Sequence, residues 1–371
     1  CTTVALTAPP DPAPSAKPLS TPPPTASLSK IVTTAEGGAA LTNSAELAGR
    51  MARLRSHGIT RDPAEMEFPD KVDPRTGLMV FSLYNGKTKH FVPTAAQLRG
   101  IDALVIDLQD NGTRSYTFAA AMRWAMEGCF QNGVEVIVLD RPNPLGGLKV
   151  DGPPLDVKWS RQNYVGAFRV PYVHGLTIGE LARMAKEAPG VLEITDEERA
   201  KGRLRVIPMR GWNRAMRWPD TGLKFVATSA LIQDFEAVQG YPMTGLGSYF
   251  DPNPKVNFDL GFRTGVGPAH PFRGLSHKRV TLDVLEKELA AIQTKLPGIR
   301  FQRVTIPNAK TGKNGNGIHI QITDPEAWRP CELNFWMMKL ACKLSPQNPF
   351  KPGPNRDVSG FLRHLGSQAF F

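Results

Sequence analysis

Two polar clusters in this chain carry residue types that could do chemistry, and each follows an apolar run. Gln109, Asp110, Asn111, Gly112, Thr113 and Arg114 follow residues 101–108, and Asp140-Arg141-Pro142-Asn143-Pro144 follows residues 134–139. A positioned carboxylate moves protons, and a neighbouring guanidinium binds anionic or polar groups. Asp110 and Asp140 are therefore the candidate catalytic carboxylates, with Gln109, Arg114 and Arg141 as candidate binding residues. The alternative for the first cluster is a helix cap followed by a solvated turn.

The elements that would position these residues are legible. A continuous apolar run without helical period suits a strand buried on both faces, and only Asp102 and Asp107 interrupt the first run. Between the runs, Phe118, Met122, Ala125, Met126 and Cys129 recur at three- and four-residue spacings, which predicts a helix over 115–131 ended by Asn132-Gly133. Strand, helix and strand make a βαβ unit, whose right-handed crossover puts both carboxyl ends on one side of the sheet. Asp110, Arg114, Asp140 and Arg141 are then expected to converge where open α/β sheets bind ligands.

Further candidates lie along the chain. His57-Gly58 sits in a loop, and residues 79–84 read as a strand. Thr177 and Glu180 form a capping box opening a helix to about Lys186, so Glu180 has a structural explanation and His174, just before it, is the better site candidate. A strand over 204–209 leads to Trp212 and Arg214; the indole suits stacking on a sugar ring, or an ordinary half-buried place. A helix over 229–239 is expected to end at Gly240-Tyr241-Pro242, before about thirty residues of Gly-, Pro- and Asn-rich loop. Helices over 280–296, 330–344 and 357–365, with strands over 299–306 and 318–322, read as a second, α+β domain. Residues 30–51 are weakly periodic, with one strand and one helix expected.

The fold class is accordingly α/β, a Rossmann-like parallel-sheet domain over 31–205 with a second, smaller α+β domain over 206–371. The formal charge of +11 and pI near 9.6 favour anionic surroundings. No block of like charge appears, so a solvated basic surface is expected rather than a nucleic-acid partner. No phosphate loop, zinc-protease or nucleophile-elbow pattern is present, and residues 245–250 hold only two dinucleotide-type glycines with no strand before them. No cofactor and no metal site are expected from three scattered thiols and seven separated histidines. If Cys331 and Cys342 share a helix they stand about 16 Å apart. That is too far for a disulfide, and with Cys129 they read as buried thiols.

The chain starts at Cys1 without an initiator Met, and residues 2–29 are mostly Pro, Ala, Ser and Thr. This resembles a mature bacterial lipoprotein, with Cys1 lipidated and residues 1–30 forming a tether to a membrane of the cell envelope. The alternative is a chain boundary that falls on a cysteine.

Six stretches then carry a family resemblance, in order: GIDALVIDLQDNGTRSYTF (100–118), IVLDRPNPLGG (137–147), VDGPPL (150–155), YVHGLTIGEL (172–181), VIPMRGWNR (206–214) and IHIQITDPEAWRP (318–330). Together they resemble the exo-β-N-acetylmuramidase family of peptidoglycan hydrolases, glycoside hydrolase family 171. The resemblance implies a Rossmann-like domain beside a smaller C-terminal one, and release of terminal N-acetylmuramic acid from the non-reducing end of cell-wall fragments. It places Asp110, Asp140 and His57 as catalytic candidates, and Gln109, Arg114, Tyr116, Arg141, His174, Trp212, Arg214 and Tyr241 around a sugar.

Two departures accompany it. The family carries Glu-His-Gly where this chain has Ser56-His57-Gly58. The family's second signature, after Tyr-Pro-Gly, is replaced by Tyr241-Pro242-Met243 and an unrelated loop over 245–267. Glycoside hydrolysis ordinarily uses two carboxyl groups flanking the bond. The expectation is thus a hydrolase with an altered site, or a glycan-binding envelope lipoprotein that kept the fold without the chemistry.

Overall fold

A computed structural model describes residues 30–34, 37–40, 70–74, 77–83, 91–160, 164–229, 231–245, 260–266, 271–307, 314–351 and 359–367. Its contacts divide the chain into two compact units built from interleaved segments. One comprises Cys1–Asp110, Phe118–Arg141 and Thr177–Gly211; the other comprises Asn111–Thr117, Pro142–Leu176 and Trp212–Phe371. The sequence reading placed a single boundary after residue 205, whereas this division passes between the units five times along the chain.

The first unit begins with a four-stranded sheet in the order β2-β1-β4-β3. It is formed by β1 (Lys30–Thr34), β2 (Gly37–Ala40), β3 (Lys71–Val72) and β4 (Met79–Ser82). Where one strand and one helix were expected over 30–51, two antiparallel strands stand; the residues expected to be helical lie outside the described ones.

Next comes the expected βαβ unit. Strand β5 (Ala103–Ile106), helix α1 (Phe118–Gln131) and strand β6 (Glu135–Leu139) are followed by β9 (Leu204–Ile207), in a fully parallel sheet ordered β5-β6-β9. Leu104, Ile106, Val136 and Val138 are buried, each contributing about 1.5–3 kcal/mol by leaving water. Helix α1 is buried almost all round, Arg123 included; that guanidinium is met one turn on by Glu127 at 3.2 Å. Gly128 has no room for a side chain, because a Cβ there would lie 2.6 Å from the Pro93 carbonyl oxygen. Helix α2 (Ile178–Glu187) opens with the expected capping box, in which Thr177 and Glu180 each bond the other's backbone N–H.

The second unit contains an antiparallel ribbon of β7 (Asp151–Pro154) and β8 (Pro171–Val173), extended by a bridge from Thr113 to Val173. Its main sheet is antiparallel in the order β10-β11-β13-β12. The strands are β10 (Phe262–Gly265), β11 (Pro271–His277), β12 (Ile299–Pro307) and β13 (Asn314–Ile322). Helix Leu282–Ile292 buries Leu285, Leu289 and Ile292 from the expected register, and helices Glu332–Leu344 and Ser359–Leu365 follow.

One helix departs from its sequence reading. Rather than spanning 229–239, it runs from Phe235 to Thr244. Ser229 Oγ accepts from the N–H groups of Leu231 and Ile232, a hydroxyl-capped turn, and Asp234 provides the N-cap. The helix continues through Pro242, which donates no backbone hydrogen bond in its last turn. The Pro242 carbonyl accepts from Asn334 Nδ2 at 2.6 Å.

Candidate active site

The candidate residues fall into two groups, one in each unit. In the first unit, β5 and β6 run parallel with Ile106 opposite Val138, so Asp107, Gln109, Asp110, Asp140 and Arg141 leave the sheet at the same edge. This is the carboxyl-end edge expected for a ligand site. The Gln109 side-chain amide donates to the Asp110 carbonyl at 2.7 Å, and Asp110 is buried with 5% of its surface exposed.

Asp140 is held on both oxygens. Its Oδ1 accepts from the Gly179 N–H at 2.8 Å and from the Arg141 N–H at 3.0 Å, and its Oδ2 accepts from the Thr177 hydroxyl at 3.1 Å. The carboxylate therefore sits against the first turn of α2, where helix-end N–H groups attract negative charge. Gly179 permits this approach, since a Cβ there would lie 2.6 Å from Asp140 Cγ.

Arg141 is joined to a residue the sequence reading passed over. Its Nε donates to Asp107 Oδ1 at 2.6 Å and its Nη2 to Oδ2 at 2.9 Å, a two-pronged pair across the ends of β5 and β6. Asp107 had been an interruption in an apolar run. The one available signal was an acidic residue directly after the last position of a strand.

The second unit holds the other group. Arg114 is 3% exposed; its N–H pairs with the Tyr172 carbonyl, and its Nη2 donates to the Leu365 carbonyl at 2.9 Å. Nε and Nη1 have no hydrogen-bond partner among the described residues. Burial lowers the guanidinium pKa to about 10, against the opposing effects of Tyr172, Cys331 and Asp156. Gly366 lies directly over it, where a Cβ would come within contact of both terminal nitrogens.

Tyr116 donates to Thr228 Oγ1 at 2.7 Å, and its ring meets Tyr241 edge-on with centroids 5.9 Å apart. Ser115 Oγ lies 2.9 Å from the Tyr172 hydroxyl and 3.2 Å from that of Tyr241. Burial pushes the Tyr172 phenol well above its ordinary pKa, so it stays a neutral hydrogen-bonding group. Phe272, edge-on to Tyr241 at 5.1 Å, is the one non-glycine residue with positive φ (64°) among the described residues.

His174 is buried, and its Nδ1 accepts from the Leu176 N–H at 3.1 Å. Arg214 ties two loops together, donating from Nη2 to the carbonyls of Gly147 at 3.0 Å and Gly175 at 2.8 Å. Trp212 is half-buried. Cys1, Ser56, His57 and residues 246–259 lie outside the described residues. Of the cysteines read as buried thiols, Cys129 and Cys331 are buried, and burial pushes Cys129 up to about 12; Cys342 instead lies exposed near the end of its helix. Among the described residues, no three His, Cys, Asp or Glu side chains group as metal ligands, and no helix is long and apolar enough to cross a membrane.

Comparison with known proteins identifies two family models along the chain. Residues 39–236 match the N-terminal model of exo-β-N-acetylmuramidase NamZ, and residues 258–371 match its C-terminal model. The chain is 32% identical over 296 residues to the peptidoglycan β-N-acetylmuramidase NamZ of Bacillus subtilis (strain 168). That match takes in 79% of this chain and 65% of the Bacillus protein, so the chain spans just under two thirds of that relative. Two crystal structures of DUF1343 family proteins from Bacteroides fragilis NCTC 9343 resemble it. One has a TM-score of 0.67 at 30% identity, covering 84% of this chain and 75% of its own. The other has 0.54 at 25% identity, covering 80% and 71%. With the parallel sheet, the antiparallel unit and both family models in place, the chain belongs to the exo-β-N-acetylmuramidase NamZ family.

Proposed function

We propose that this protein is a cell-wall glycan hydrolase that releases terminal N-acetylmuramic acid from the non-reducing end of peptidoglycan fragments, using an altered site. The observation that carries the reading is the carboxylate edge at the ends of β5 and β6, with Asp107 and Asp110 buried and Asp140 half-buried, inside the span of the matching N-terminal family model. Asp110 is the proton-transferring candidate. Asp140, with both oxygens engaged by α2 and its own loop, holds that edge in shape. His57 is kept as a further candidate from the sequence, and Ser56 leaves the family's glutamate position without a carboxyl group.

That serine favours a second reading, a peptidoglycan-binding protein that kept the fold and lost hydrolysis. Incubation with muramic-acid-terminated glycan fragments and a chromogenic muramide separates the two. The first reading expects free N-acetylmuramic acid; binding with no sugar released would sink it. A peptidoglycan substrate would put the protein at the cell envelope, and fractionation of producing cells should recover it there.

A further inference from the structure

The Asp107–Arg141 pair has a geometry that a purely structural ion pair does not need. Asp107 is nearly buried, its side chain 6% exposed, and its two oxygens take Nε and Nη2 of Arg141. The Arg141 side chain keeps 27% of its surface exposed. A guanidinium has five N–H groups in a planar fork. Two of them face Asp107; those of Nη1 and the outer one of Nη2 have no protein partner among the described residues. The free edge is therefore a pair of parallel donors, the arrangement that binds a carboxylate on two oxygens. Its direction is fixed beforehand by the buried partner, so little side-chain freedom is lost when a ligand binds. The adjacent Asp140 would repel an anion, but its charge is answered by the first turn of α2 and the Thr177 hydroxyl.

We infer that Arg141 is a specificity residue that takes the carboxylate of the lactyl ether on N-acetylmuramic acid, with Asp107 as its positioning residue. The identity of the sugar rests on the proposed function above. N-acetylglucosamine is the same sugar without the lactyl group, so a fork aimed at that carboxylate would tell the two apart by charge and shape.

Calorimetric titration of the full chain with free N-acetylmuramic acid, its methyl ester and N-acetylglucosamine tests this without requiring turnover. The wild type is expected to bind the acid about tenfold or more tightly than the ester. Arg141→Gln should remove that preference while leaving ester binding in place. Arg141→Lys should keep part of it, because an ammonium supplies charge without the fork. Asp107→Asn should weaken acid binding and leave the ester unaffected. Equal binding of acid and ester by the wild type overturns the inference with no variant involved, as does a preference that survives in Arg141→Gln. Failure of the enzyme reading looks different: acid preferred over ester, with no sugar released from glycan fragments, leaves Arg141 in its role. Sugar released, with acid and ester bound alike, sinks the Arg141 assignment alone.

Discussion

The two groups of candidate residues handle buried polarity in opposite ways. At the edge of the first unit, these carboxylates are met by charge or by helix-end N–H groups, buried Asp107 by Arg141 and half-buried Asp140 by Gly179, and deeper in, Arg123 is met by Glu127. In the second unit a cluster of polar groups consists of neutral hydroxyls that bond one another, as with Ser115, Tyr172 and Tyr241 or Tyr116 and Thr228. Where that unit does bury ionisable groups, at Arg114 and His364, burial works against their charge. Paired charges hold fixed directions and suit chemistry on a polar ligand. A closed hydroxyl–aromatic network suits packing. The first unit is thus the better place to look for reacting groups, and the second for the frame that keeps its loops in place.

Substitutions can break or sharpen this contrast. The largest effect is expected at Asp110→Asn, where loss of a proton-transferring carboxyl should lower the rate of N-acetylmuramic acid release by about 10²- to 10⁴-fold. Tyr116→Phe should stay within a few fold in the same assay; an equal loss at both would erase the distinction between the units.

Next comes pH. His364 is buried, and burial followed by the nearby Arg114 lowers its pKa to about 3. Between about 3 and 6.5 the unfolded chain holds a proton there that the folded chain refuses. Stability should therefore fall as pH drops through that window, by about 1.4 kcal/mol per unit from this group, with no contribution above it. Urea unfolding of His364→Leu at pH 6 and pH 5 should show a slope shallower than wild type by about that amount.

A smaller loss is expected at Asp107→Ala, about 1.5–3 kcal/mol in urea unfolding, since it removes two charge-assisted bonds from a half-exposed guanidinium. The smallest is Tyr241→Phe, which gives up a hydroxyl contact with Ser115 for about 1 kcal/mol. Should that change cost more than Asp107→Ala, the hydroxyl network rather than the charged edge would dominate local stability.

What could be read from the sequence follows the range of the interactions. The βαβ unit and the Thr177–Glu180 capping box rest on periodicity and on contacts three residues apart, and both stand where expected. The place of residues 111–117 rests on pairing with Tyr172 and Val173 some sixty residues later, which no local pattern announces. Convergence of Asp140 and Arg141 with the end of β5 was legible from strand direction alone. Their partners were not. Asp107 looked like a fault in a strand, and Gly179 gave no sign that it admits a carboxylate. The start of the 235–244 helix was missed because Ser229 reads as a helix start, yet its hydroxyl closes a turn six residues earlier.

The interleaving of the two units has a consequence for synthesis on the ribosome. Residues 111–117 emerge early but belong with Trp212–Phe371. At about 5–20 residues per second, they wait roughly 5–20 s before the first residue of that segment is made. During that interval the βαβ unit can form its first strand pair, while Tyr116 and the apolar residues of 142–176 have no core to enter. A nascent chain of this family should therefore hold exposed apolar surface for seconds, long enough for a chaperone to bind. Slowing translation after residue 176 should lengthen that exposure and lower the yield of folded protein.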